Sequence, residues 1–193
     1  MKPLLLLLLL VPLAFRAPQS AAAPTQATPY SLDPVHSTVL FKVKHLETSW
    51  SYGRFNTIAG ELSFDEQKPE TSTVKCTIDV DSIDTNSKER DGHLKSPDFF
   101  SAREFPKITF KSTRVARKKE AYSVSGELTL HGVTKSVTFE MQKVGQTKAP
   151  EPIGERIGFF AVTTIKRSEF GMESYLDMLS DEVEVTLSIE GTK

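Results

Sequence analysis

The sequence predicts an all-β fold of about eight antiparallel strands with one short helical insertion between strands 3 and 4. Three observations carry this. Apolar residues recur at every second position through most of the chain, the pattern of a half-buried strand. One stretch, Ile83 to Phe110, breaks the pattern and gathers charge, a histidine and four phenylalanines in under thirty residues. Glycines fall inside strand patterns at Gly60 and Gly126, which marks a bend or a close approach of backbones. Long strands with a single apolar face need a closed sheet or a sandwich to bury it. The two glycines fit the tight curvature of a barrel, whose eight-stranded interior is filled by side chains or holds one small ligand.

The elements follow in order. Lys2, the run Leu4 to Leu10 and the small residues Ser20 to Ala23 have the three-part form of a secretory signal, with an apolar run too short to span a bilayer. Residues 1–23 are therefore expected to be a signal peptide, and 24–29, rich in Pro and Thr, a flexible leader. A periplasmic or secreted location follows. Val39, Phe41 and Val43 alternate with lysines, and His45 continues the apolar phase. Gly53-Arg54-Phe55 reads as a break, and Ile58, Gly60, Leu62 and Phe64 as the next strand. Val74, Cys76, Ile78 and Val80 alternate against polar partners. Within the insertion, Ser96-Pro97-Asp98 is a helix-start signal and Ser87 to Leu94 a second short helical turn. Asp84 and Thr85 read as turn or capping residues. Phe105-Pro106 forces extended backbone, and Ile108 and Phe110 resume a strand. Arg114 to Glu120 reads as a charged loop. Tyr122 to Leu130 is in phase over five positions, and His131-Gly132 turns the chain. Val137, Phe139 and Met141 follow, then a loose segment from Gly145 to Gly154. Residues 156–165 are apolar on both faces, 166–180 is a long connection, and Val183 to Ile189 closes the series.

Composition excludes several classes. Without Lys2 and Arg16 the 24 basic residues fall to 22 against 25 acidic ones, a net charge of about −3, which is no footprint for nucleic acid or an anionic membrane. A single cysteine, Cys76, rules out an intrachain disulfide; on an apolar phase it reads as an inert core thiol. No later segment is apolar enough for a membrane helix. The four histidines, His36, His45, His93 and His131, have no zinc-like spacing, so no metal site is expected. His36 reads as a local hydrogen-bonding residue and His131 as a turn residue. No nucleophile elbow or phosphate loop appears, so no catalytic residues are expected.

What remains is apolar. The chain has 12 phenylalanines, most on inward phases or in the insertion. Together they can line a long hydrophobic tunnel. The candidate lining is Phe41, Val43, Phe99, Phe100, Phe110 and Phe139, with a polar end at His45, Arg90, Asp91 or His93. Arg90 and Asp91 have an equal structural reading, as a pair that pins the helical turn to the sheet.

Six pieces in order carry a family resemblance: Tyr30 to Ser37 with Phe41 and His45, Gly53-Arg54-Phe55, Arg90 to Leu94 with Asp98-Phe99-Phe100, Phe105 to Phe110, Gly126 to Thr134, and Arg167 to Met172. The chain resembles the YceI-like family, polyisoprenoid-binding domains with a lipocalin-like barrel, over residues 30–191. The resemblance implies an eight-stranded antiparallel lipocalin-like β-barrel around a bound polyisoprenoid, quinone or fatty-acyl lipid, with no resident cofactor and no catalytic residues. The expected partner is a long-chain apolar small molecule; a homodimer is left open. An enzyme acting on a lipid or quinone, and a ligand-free interaction module, are the alternatives. One departure stands out: Glu47 to Tyr52 is bulkier than the resemblance leads one to expect at the pocket mouth.

Overall fold

A computed structural model describes residues 27–193, so the signal peptide expected over 1–23 lies outside the described residues. Eleven strand segments form one sheet: β1 (Thr28–Leu32), β2 (Thr38–His45), β3 (Ser49–Phe55), β4 (Ile58–Phe64), β5 (Thr73–Asp79), β6 (Ile83–Asp84), β7 (Lys107–Lys118), β8 (Ala121–Leu130), β9 (Val133–Lys148), β10 (Glu155–Lys166) and β11 (Glu182–Thr192). They make eight long staves. β11 pairs with β1 at Leu32↔Gly191 and then with β2 from Thr38↔Ser188, so β1 and β2 are one stave broken by residues 33–37. β3 and β4 pair in turn with β2 and β1, and β6 and β5 with β3 and β4. The other five staves are continuous. Neighbours in sequence are neighbours in space throughout, all antiparallel, and β11 against β1 and β2 closes an eight-stranded barrel with no free sheet margin along most of its height.

The alternation read from the sequence is the burial pattern. Tyr122, Val124, Gly126, Leu128 and Leu130 of β8 are all buried, as are Ile58, Leu62 and Phe64 of β4. Gly126 is a close approach, as expected: a Cβ there would lie 2.5 Å from Phe110 Cζ and against the Lys111 carbonyl.

Four expectations are corrected. Thr28 and Pro29, read as the end of a flexible leader, are strand and already pair with Phe64 and Ser63. Gly53-Arg54-Phe55 is strand, not a break. The turn before it is made by Leu46 and Glu47 at φ 49° and 54°, residue types that do not announce a left-handed turn. β7 and β9 run on through the stretches read as loops, to Lys118 and Lys148, because their outer ends are polar ribbons without an apolar phase to read. Finally, the insertion's helix is α1 (Lys88–Leu94), capped by Ser87, whose Oγ accepts from the Arg90 amide at 3.4 Å. Ser96-Pro97-Asp98 starts no helix. The chain folds back there, with Phe100 N–H on the Leu94 carbonyl and Ala102 N–H on that of Lys95, both at 3.0 Å.

The insertion has a structural reason. β7 begins opposite Asp79, and β6 ends at Asp84. The β5–β6 stave stops there, while β2 and β3 pair on to His45↔Ser49 and β10 and β11 to Lys166↔Glu182. Residues 85–106 fill that side and turn Leu94, Phe99, Phe100 and Ala102 inward, Phe100 meeting Phe55 edge-on at 5.5 Å. No helix among the described residues is long and apolar enough to cross a membrane.

Candidate ligand-binding site

One cavity of about 480 Å³ runs through the barrel, within the range of sites that enclose a small apolar ligand. At the end near the β7–β8 and β9–β10 turns it is floored by an aromatic knot, with Phe64 edge-on to Tyr122 at 5.1 Å and to Phe159 at 4.9 Å. Behind the floor, buried Tyr30 donates to Glu155 Oε1 at 2.7 Å, and burial pushes its phenol up to about 12.

Nine of the ten residues proposed from sequence line this cavity: Phe41, Val43, His45, Arg90, His93, Phe99, Phe100, Phe110 and Phe139. Phe41 packs on Phe55, and Phe110 meets Phe139 edge-on at 5.2 Å, which fixes ring positions along the tunnel. Asp91 is the correction. It does not face the cavity, because its Oδ1 is taken by the Thr85 amide at 2.8 Å and hydroxyl at 2.6 Å. Arg90 donates to the same threonine, Nε to Oγ1 at 2.9 Å and Nη2 to the carbonyl at 2.6 Å. The two side chains pin α1 to the end of β6 through Thr85 rather than to each other. Arg90 does this from the cavity wall, with Nη1 unengaged among the described residues.

At the other end the cavity meets His93, whose Nε2 lies 3.2 Å from Asp98 Oδ2. Its ring stands edge-on to Phe99 at 5.1 Å and Tyr175 at 5.6 Å, and those two stack at 5.8 Å. Tyr175, Met178 and Leu179 belong to the long connection between β10 and β11, which the sequence left uninterpreted. Arg167 holds that connection. It is 4% exposed, and its guanidinium donates to the carbonyls of Ser180 at 3.0 Å, Met172 at 2.9 Å, Ser174 at 2.7 Å and Leu179 at 3.2 Å. Burial lowers its pKa, yet four backbone acceptors offset that cost. The sequence names Arg167 only as part of a motif; nothing in spacing shows that its partners are carbonyls. His45, the last residue of β2, bridges to Leu179 and so joins the connection to the strand.

Among the described residues no Asp or Glu side chain lines the cavity, and the ionisable lining residues are Arg90, Arg167, His45, His93, Tyr52, Tyr175 and Cys76. The Cys76 thiol is buried, and burial pushes it up to about 11, a core thiol as its strand phase implied.

Away from the cavity, at the break between β1 and β2, Asp33, His36 and Glu190 approach one another. His36 Nδ1 meets Asp33 Oδ2 at 2.9 Å, the local bond expected of it. Arg156 Nη1 reaches the same oxygen at 3.0 Å and also pairs with Glu190, so a fixed cation already sits between the two carboxylates. His131, at φ 51°, turns the chain as read and donates to the Phe170 carbonyl at 3.0 Å.

The profile of the YceI-like domain matches residues 30–191. The chain belongs to the YceI-like family. Among YceI-like relatives, UPF0312 protein PA0423 of Pseudomonas aeruginosa is 41% identical over 186 residues, covering 95% of this chain and 97% of that protein. The crystal structure of BcnA from Burkholderia cenocepacia superposes with a TM-score of 0.74 at 26% identity, over 83% of this chain and 99% of that one. A polyisoprenoid binding domain from Saccharophagus degradans shares the fold, with a TM-score of 0.63 at 19% identity over 84% and 97% of the two chains. The barrel fold is thus shared with these two solved structures.

Proposed function

We propose that this protein holds a long apolar molecule, an isoprenoid or other lipid-like chain, inside its barrel for transport, storage or sequestration. The observation that carries the reading is the tunnel itself, a continuous cavity with a dense aromatic and aliphatic lining and, among the described residues, no acidic side chain facing it. The Saccharophagus degradans domain of the same fold is described as polyisoprenoid-binding, which supports the same class of cargo. Burying one five-carbon isoprene unit is worth roughly 4 kcal/mol gross at about 0.8 per methylene, so a few units suffice for useful affinity after ordering costs. The form of residues 1–23 supports export, with the loaded barrel acting in the periplasm or outside the cell. Displacement of a fluorescent fatty-acid reporter by geranylgeraniol, by a long-chain quinone and by palmitate tests the reading. At least one of these is expected to displace the reporter at low micromolar concentration. Failure of all three, with the reporter itself unbound, would leave the carrier reading without support.

A further inference from the structure

The barrel wall is open beside β3. β3 pairs with β2 along its whole length, but with β6 only at Arg54↔Asp84 and Phe55↔Ile83. From Ser49 to Gly53 its other edge has no strand neighbour among the described residues. The inner wall there is thin as well, since Ser51 and Gly53 face inward and Phe41 lies directly over Gly53. Outside the gap is a groove lined by Leu40, Trp50, Tyr52, Arg54, Asp84 and Asn86. Ser51, Tyr52, Thr85 and Arg90 line both this groove and the tunnel, so these four residues form the wall between the two. Trp50 and Tyr52 are 46% and 61% exposed on the outer wall, in the stretch that departs from the family resemblance.

The charges in the groove are unevenly satisfied. The Asp84 carboxylate is occupied by the Asn86 amide at 2.9 Å and by Asn56 Nδ2 at 3.3 Å. Lys42, 4.4 Å from the Trp50 ring centre, is paired with Glu184, and Lys44 with Glu47. Arg54 makes no ion pair or side-chain hydrogen bond among the described residues, and Arg90 has Nη1 free. Two guanidinium groups thus flank the opening with donors to spare.

We propose that this gap is a side portal, and that the groove outside it binds the anionic headgroup of the molecule whose chain fills the tunnel. The proposal rests on the carrier reading above. Arg90 and Arg54 supply the planar, multiply donating cations suited to phosphate or carboxylate oxygens, and Trp50 and Tyr52 wall the site. A charge drawn fully into the barrel would lose its hydration for few partners. At the portal it keeps water on one side while the chain is buried.

Trp50 is the only tryptophan of the chain, so its fluorescence reports on the groove alone. Geranylgeranyl phosphate, geranylgeraniol and inorganic phosphate are titrated against the reporter-loaded protein, with acrylamide quenching of Trp50 followed in parallel. The phosphate lipid is expected to bind about tenfold more tightly than the alcohol and to shield Trp50, and inorganic phosphate alone to do neither. Arg54→Gln and Arg90→Gln should each bring the affinity ratio down towards one. Arg90 also holds Thr85, so Arg54→Gln, which removes an exposed side chain with no other bond, keeps the test independent of folding. If both lipids displace the reporter with equal affinity and Trp50 stays equally quenchable, the portal proposal falls and the carrier reading stands. Shielding by inorganic phosphate alone would make the groove a free-anion site and overturn the headgroup assignment. If neither lipid displaces the reporter, both readings fall together.

Discussion

Replacing Ala161 by phenylalanine separates a tunnel from a packed core. Ala161 is buried on β10, between its register partners Met141 on β9 and Leu187 on β11, and faces the cavity. In a close-packed interior an added ring forces strain worth about 1–3 kcal/mol. Facing a cavity of about 480 Å³ the ring has room, so stability in urea, followed by circular dichroism, should change by less than about 1 kcal/mol. Affinity should change instead. The ring takes the place of about one isoprene unit, roughly 4 kcal/mol of gross burial. A chain that bends and gives up less ordering entropy recovers part of this, so the measured loss should be at least about 1.4 kcal/mol, or tenfold in Kd. A variant that loses about 3 kcal/mol of stability yet binds as the wild type does would show that Ala161 packs against protein and that the chain lies elsewhere.

The tunnel and its mouth give three further expectations. Cys76 should resist a water-soluble maleimide in the native protein and react after denaturation, because burial holds its thiol near 11; rapid native labelling would put the strand phase in doubt. Arg167→Met should cost about 3 kcal/mol, since four backbone carbonyls, one fully and three partly buried, lose a charged donor, and amide exchange should quicken over residues 172–180; unchanged exchange there would show that the connection holds itself. At the β1–β2 break, Asp33 raises the pKa of His36, so that pair stabilises the fold fully below the imidazole's ordinary value near 6.5 and less as pH rises through the raised one. The Asp33 carboxyl, lowered chiefly by the His36 hydrogen bond, stabilises above about 3.9 and fades as pH falls. Tm should therefore decline from pH 6 to 8, and His36→Asn should flatten that decline; an equal slope in both proteins would rule out His36 as its source.

The fold was legible where one face of a strand is apolar. β8 announces itself because every second residue is buried, and Phe41, Phe110 and Phe139 were recognisable as inward phases of β2, β7 and β9 in the same way. The misread parts share another physics. The β2–β3 turn relies on Leu46 and Glu47 in a left-handed conformation, which a tight hairpin between right-twisted strands demands of whatever residues stand there. The ends of β7 and β9 are held by cross-strand backbone bonds, which leave no hydrophobic period. Asp91 looked like a headgroup ligand because only the fold shows that Thr85 takes up its carboxylate. Arg167 and the portal beside β3 depend on backbone carbonyls and on where a two-residue strand stops, and neither has a sequence signature.

The tunnel's role is tested most directly by native mass spectrometry of the protein purified without detergent. About one long-chain isoprenoid or fatty-acyl molecule per polypeptide is expected, recoverable in an organic extract. A bare polypeptide mass that persists after incubation with such chains would contradict the carrier reading.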